Sequence, residues 1–194
     1  MTATRKDEYH RMFMQIQMFD DATSLHCART ESIAFRIGKQ MGLSDLELDV
    51  LCTAALLHDY GKIFIPKGIL NAKRRLSAIE MQIMKSHVWI GVQQLQKQSV
   101  EDRILAIIAE HHERLDGSGY PLGTRNISKS GRILAVADVY DAMTSSRCYK
   151  EAYSKDVTLK KLEEEVGRLD EEVIQIAKGI TTSECNDCTQ FFIF

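Results

Sequence analysis

Two adjacent imidazoles, His111 and His112, precede a glycine-containing turn that ends in an aromatic, Glu113-Arg114-Leu115-Asp116-Gly117-Ser118-Gly119-Tyr120-Pro121. Imidazole is the commonest side-chain ligand for transition metals, and glycines let a backbone approach a ligand closely. Metal and phosphate chemistry are therefore the first expectations. A second pair, His58-Asp59, ends the apolar run Val50-Leu51-Cys52-Thr53-Ala54-Ala55-Leu56-Leu57. An imidazole beside a carboxylate at the end of an apolar helix is costly unless something pairs with both, and a metal ion does so. Adjacent helix residues diverge by about 100°, so His58 and Asp59 reach different sides of a site, where the two oxygens of Asp59 can bridge two ions. Gly61 breaks the helix there, and Lys62 lies at the mouth.

Other groups of the same kind lie at or near helix ends. His26 falls in the first turns of a helix, His87 at a junction between two helices, and Asp138 and Asp141 share one side of a helix. His26, His58, His87, His111 and His112 with Asp59 and Asp138 form a nitrogen and oxygen set that suits two first-row transition ions, and only His10 is left over among the histidines. The lack of thiolate in the set argues against a structural zinc or iron–sulfur site.

The elements that must position these groups are helices. Tyr9, Met12, Phe13, Ile16 and Phe19 recur at helical spacing over residues 5–20, giving a packing helix whose alternative role is to bind a partner or dimerise. A second helix runs from about Ala22 to Met41 and closes on Gly42. Ser44 with Glu47 and Ser77 with Glu80 read as capping boxes, Ser99 with Asp102 as a cap, and Ser154 and Asp170 as starts of the last helices. Ile63 to Pro66 reads as an extended connector, Asn71 to Arg75 as a solvated basic loop, and the stretch after Pro121 as a loop through Gly131.

Bulk properties frame this reading. The chain has 194 residues, 44% hydrophobic and 27% charged, with two prolines and a formal charge of −2. That fits one soluble domain rich in long helices and offers no general field for duplex nucleic acid. No apolar run is long enough to span a membrane and the N-terminus is too polar for a signal peptide, so a cytoplasmic protein is expected. Five cysteines fit a reducing compartment, and Cys185 and Cys188, spaced C-x-x-C without a second pair, read as two thiols in a frayed tail.

The pattern His26, His58-Asp59-Tyr60-Gly61-Lys62, His87, His111-His112-Glu113 through Gly119-Tyr120-Pro121, and Asp138-Val139-Tyr140-Asp141 resembles the HD-GYP family of HD-domain phosphohydrolases. The resemblance covers about residues 22–178, leaving 1–21 as an N-terminal amphipathic helix and 179–194 as a tail. It implies an all-α, single, compact multi-helix bundle with a metal centre in its core and the GYP loop beside it. The implied activity is hydrolysis of cyclic di-GMP to pGpG or GMP. By position, the resemblance assigns one metal to His26, His58 and Asp138, the other to His87, His111 and His112, and the bridge to Asp59, with iron or manganese as the ions. It places Asp59 and Lys62 in catalysis, and Lys62, Tyr120, Asp141, Arg147 and Lys150 around the substrate. Ala22 stands where some members carry a third-metal glutamate, so two metals are expected. Cys148 replaces the usual proline beside Arg147, which would loosen that arginine, and Leu169-Asp170-Glu171 replaces the usual Phe-Asp-Pro. Many relatives carry a sensor domain; with none here, regulation is expected in trans, through the first helix, a homodimer, or a cyclase or sensor partner. The alternatives are an inactive receptor for the same dinucleotide and a phosphohydrolase for another nucleotide, including a hybrid cyclic dinucleotide.

Overall fold

The computed structural model describes residues 3–145 and 153–179. Among these residues every regular element is helical. Helix α1 (Ala3–Phe19) buries Tyr9, Met12, Phe13 and Ile16, leaves Met14 and Met18 exposed, and so contributes its apolar stripe to the same core as the helices that follow. Helix α2 (Asp21–Gln40) starts on Asp20, whose carboxylate accepts from the Thr23 amide, and ends ahead of Gly42 at φ +73. Helix α3 (Asp45–Leu57) opens on the Ser44–Glu47 capping box. It is apolar nearly all round, and Leu51, Ala54, Ala55 and Leu57 are fully buried, so it runs through the middle of the bundle.

A 3-10 turn (Tyr60–Phe64) comes next, so the expected extended connector is shorter than its sequence suggested. Only Ile65 is extended, as the residue before a proline prefers. Gly61 does more than break a helix: a Cβ there would overlap the His87 carbonyl oxygen and crowd the Gly91 amide. The missing side chain lets the turn lie directly on the backbone of a later helix. After α4 (Lys67–Leu70), the Ser77–Glu80 capping box opens α5 (Ala78–Lys85), and Arg74 of the basic loop pairs with Glu80.

Helix α6 (His87–Lys97) ends in a Schellman closure, with Ser99 N–H donating to the Gln96 carbonyl and Val100 N–H to the Leu95 carbonyl. Ser99 therefore does not cap the next helix. It takes a left-handed φ of +60, which turns Val100 into the core beside Leu95, and Glu101 precedes α7 (Asp102–Glu110) without a side-chain cap. A loop leads to α8 (Lys129–Thr144), capped by Ser128, so Gly131 lies inside the helix rather than ending the loop. Helices α9 (Lys155–Glu164) and α10 (Glu171–Gly179) complete the described chain, on Ser154 and Asp170 as expected. Helix α2 packs against both α3 and α8, and α7 packs against α3, α6 and α8. No helix among the described residues is long and apolar enough to cross a membrane.

Candidate metal centre

Part of the site forms where helices stop, while His26 and Asp138 lie inside α2 and α8 rather than at their ends. The last carbonyls of an α-helix have no partner within it, and three histidines use them. His58, at the end of α3, holds its Nδ1 2.7 Å from the Ala55 carbonyl, and His111, at the end of α7, holds its own 2.6 Å from Ile108. His87, just beyond α5, repeats the contact with Met84 at 2.7 Å. A carbonyl only accepts, so each Nδ1 carries a proton and each Nε2 is the atom turned to the site. Burial would lower His58, but Asp59 outweighs it and raises that ring well above its ordinary value, so His58 offers its Nε2 lone pair only where a bound cation replaces the proton. All three Nε2 atoms are buried without a hydrogen-bond partner. Such a set is costly in an apolar interior unless a further group meets it. Its donors fit a transition-metal cation, which the negative ends of α3 and α7 also favour.

Asp59 stands between the rings. Its Oδ1 lies 3.3 Å from His87 Nε2, and its Oδ2 lies 3.4 Å from His58 Nε2, 3.7 Å from His26 Nε2 and 2.5 Å from Lys62 Nζ. Asp138, on α8, has Oδ1 3.0 Å from His26 Nε2 and Oδ2 3.8 Å from His112 Nδ1. The donor atoms fall into two groups, His26 with His58 and Asp59, and His87 with His111 and His112, each drawn within 4.8 Å. Burial would raise Asp59, but Lys62 and His58 outweigh it and hold the carboxyl well below its ordinary value. Burial opposes ionisation of Asp138 too, and is outweighed by the His26 hydrogen bond and by His112. Burial also lowers His87, takes His111 well down and brings His112 to about 3, so these rings are neutral near pH 7 with lone pairs free to ligate.

Asp141 is held by protein groups. It is buried behind His26, with Oδ2 2.7 Å from His26 Nδ1, and it accepts from Arg29 and from the Ser145 hydroxyl. Tyr120 stacks on His112 with ring centroids 4.6 Å apart, and the Lys85 ammonium lies 4.9 Å from the Tyr120 ring centroid. Arg147, Cys148 and Lys150, and the Cys185 and Cys188 pair, lie outside the described residues.

The roles of three residues escaped the sequence reading, two of them within the motif it singled out. Glu113 is buried, and its Oε1 accepts from the amides of Leu122 (2.7 Å) and Gly123 (3.2 Å), tying the far end of the GYP loop to the end of α7. Gly119 lets that loop close, since a Cβ there would overlap the backbone of Glu113 and Arg114. The Tyr120 amide then donates to the His112 carbonyl, which keeps the ring on the imidazole. Arg29 was missed as well; its one signal was its place three residues after His26, on the same helix face.

Comparison with known proteins gives concordant relatives. The HD domain family model matches residues 13–173. The chain is 41% identical over 168 residues to the cyclic di-GMP phosphodiesterase response regulator RpfG of Xanthomonas campestris pv. campestris, covering 84% of this chain and 44% of that protein. It is 36% identical over 169 residues to 3'3'-cGAMP-specific phosphodiesterase 2 of Vibrio cholerae (85% and 32%), and 41% identical over 156 residues to a cyclic di-GMP phosphodiesterase of Thermotoga maritima (77% and 42%). The chain thus spans less than half the length of these relatives. Its fold matches the HDG"Y"P protein Bd1817 of Bdellovibrio bacteriovorus with a TM-score of 0.68 at 24% identity, covering 80% of this chain and 51% of that one. The HD domain of the phosphodiesterase PgpH of L. monocytogenes, solved with cyclic-di-AMP, matches at a TM-score of 0.67 and 16% identity, covering 95% and 98%.

Proposed function

The chain belongs to the HD domain family, in the HD-GYP branch that residues 111–121 mark, and from this premise we propose that it is a metal-dependent phosphodiesterase hydrolysing cyclic di-GMP. One observation carries the reading: the buried Nε2 atoms of His58, His87 and His111 make no hydrogen bond, and those of His58 and His87 face the two oxygens of Asp59 at 3.4 and 3.3 Å. Two ions, iron or manganese, would be held by His26, His58 and Asp138 on one side and by His87, His111 and His112 on the other, with Asp59 between them. When bound, such a pair brings the ionisation of water near neutral pH and offsets the charge of a phosphodiester.

The chain's own residues do the rest. Asp59 faces both groups and fixes their separation. Lys62 carries its charge at the rim of the site, 2.5 Å from Asp59, where an ammonium can stabilise negative charge growing on phosphoryl oxygens. Tyr120, braced on His112, offers an aromatic face to a guanine base. Arg147 and Lys150 are assigned to the phosphates and base by their position in the sequence, where the guanidinium fork of Arg147 would grip two acceptors at once.

The test is turnover of cyclic di-GMP by protein purified anaerobically and assayed for metal. Release of pGpG or GMP is expected, and an inert preparation with full metal content overturns the proposal. A second reading, hydrolysis of a hybrid cyclic dinucleotide, is favoured by the 36% identity to a relative named as 3'3'-cGAMP-specific. Turnover of the two substrates side by side at equal concentration decides between them.

A further inference from the structure

His58, His87 and His111 each anchor Nδ1 on a main-chain carbonyl three residues earlier, whereas His26 anchors its Nδ1 on the Asp141 carboxylate at 2.7 Å. That carboxylate is almost fully buried and fully engaged. Arg29 grips it in a two-point fork, Nε to Oδ1 at 2.6 Å and Nη2 to Oδ2 at 3.1 Å, and the Ser145 hydroxyl donates to Oδ1 at 3.0 Å. Its oxygens therefore point at His26, Arg29 and the end of α8, and neither is left over for a substrate. A carboxylate behind a ligating imidazole fixes the ring's orientation and tautomer and makes its other nitrogen a stronger donor. The bidentate arginine holds the carboxylate in one plane and keeps it ionised.

From this geometry we infer that Asp141 and Arg29 are positioning residues for His26, and that they selectively strengthen the metal held by the His26 group. The inference rests on the metal-binding part of the proposed function and replaces the assignment of Asp141 to the substrate. The His26 group also holds Asp138 and shares Asp59, whereas the His87 group offers imidazoles plus that shared carboxylate, so the more anionic His26 group takes the tighter ion.

The experiment is titration of metal-free full-length chain with Co(II), followed by calorimetry and by visible absorption, which reports the ligand field directly. In Asp141→Asn the tighter binding event should weaken about ten- to a hundredfold and its absorption band should shift, while the weaker event stays within about threefold. Arg29→Gln leaves the Asp141–His26 contact in place and should weaken the same event by a smaller factor, about threefold. His111→Ala assigns the events, since it should remove the weaker one and keep the tighter. Equal loss from both events, or an unchanged tighter event in Asp141→Asn, overturns the inference; should that variant not fold, an unchanged tighter event in Arg29→Gln does so. If the unaltered chain binds no cobalt, the metal-dependent reading itself falls, which separates the two failures.

Discussion

In the part of the centre built on α2 and α8, His26 leans on a carboxylate 115 residues away in the chain, itself gripped by an arginine. In the part built from α5 to α7, His87 and His111 lean on carbonyls three residues back, in the helical turn that precedes each. The first arrangement is assembled by packing and sets the electronic character of its ligand. The second is set by local chain geometry and needs little beyond a helix that stops at the right residue. Two mechanically different supports thus serve one site, and Asp59 joins them.

The largest effect should come from removing that join. Asp59→Ala leaves the two sets of donors without their shared carboxylate, so cyclic di-GMP turnover should fall about a thousandfold or more, as for loss of a principal electrostatic group, and elemental analysis should find metal lost from both parts. Full activity in this variant breaks the bridging assignment. Next, His111→Ala should cost about a hundredfold in turnover while the protein retains roughly one ion, because only the locally supported part loses a ligand.

Gly61→Ala attacks the contact that holds the two parts in register. Its Cβ meets the His87 carbonyl, which is backbone and cannot step aside, so the 3-10 turn and α6 must separate. The expected cost is about 2 to 4 kcal/mol in denaturant unfolding, with weaker metal binding by the His87 group. Unchanged stability would mean that the close approach is not required.

Glu31, on α2, serves as a control for how the site's carboxylates stay ionised. It is buried among partners that bring no cation, apart from a hydrogen bond from Cys52, and burial pushes it up to about 7. Asp59 and Asp138, equally buried but beside Lys62 and histidines, go the other way. Because the folded state keeps the Glu31 proton to higher pH than the unfolded chain, this group's contribution is fully present below about pH 4.5 and is lost as pH rises through about 7. The swing is on the order of 3 kcal/mol. Glu31→Gln should remove it, so that the variant gains on the parent protein between pH 5 and pH 7.5 in thermal unfolding. A constant difference across that range would show that Glu31 titrates normally.

The smallest effect is expected at Tyr60, whose hydroxyl donates to Gln15 of α1 at 2.5 Å and accepts from Gln98 at 2.9 Å. Tyr60→Phe should cost about 1 kcal/mol and leave metal content intact, since neither glutamine touches a ligand group of the centre.

Much of this was legible in the order of residues. The caps on Ser44, Ser77, Ser154 and Asp170, the closure on Gly42 and the apolar stripe of α1 are short-range effects, in which each side chain meets backbone or neighbours within a turn or so. The candidate ligands were legible for a related reason, since polar rings at the ends of apolar helices stand out against their surroundings. Ser99 misled because a cap and a left-handed closure both suit a small polar residue, and burial of Val100 decided between them.

The residues alone therefore determined a helical chain and the set of side chains able to hold metal. Tertiary packing decided which of those side chains meet, that Asp141 stands behind His26, that Glu113 fastens the GYP loop, and that Gly61 admits one backbone to another. The physical reason is range. Helix caps and apolar periodicity act over a few residues, whereas a carboxylate's role depends on which cation or amide packing brings to within about 3 Å of it, and no local pattern carries that information.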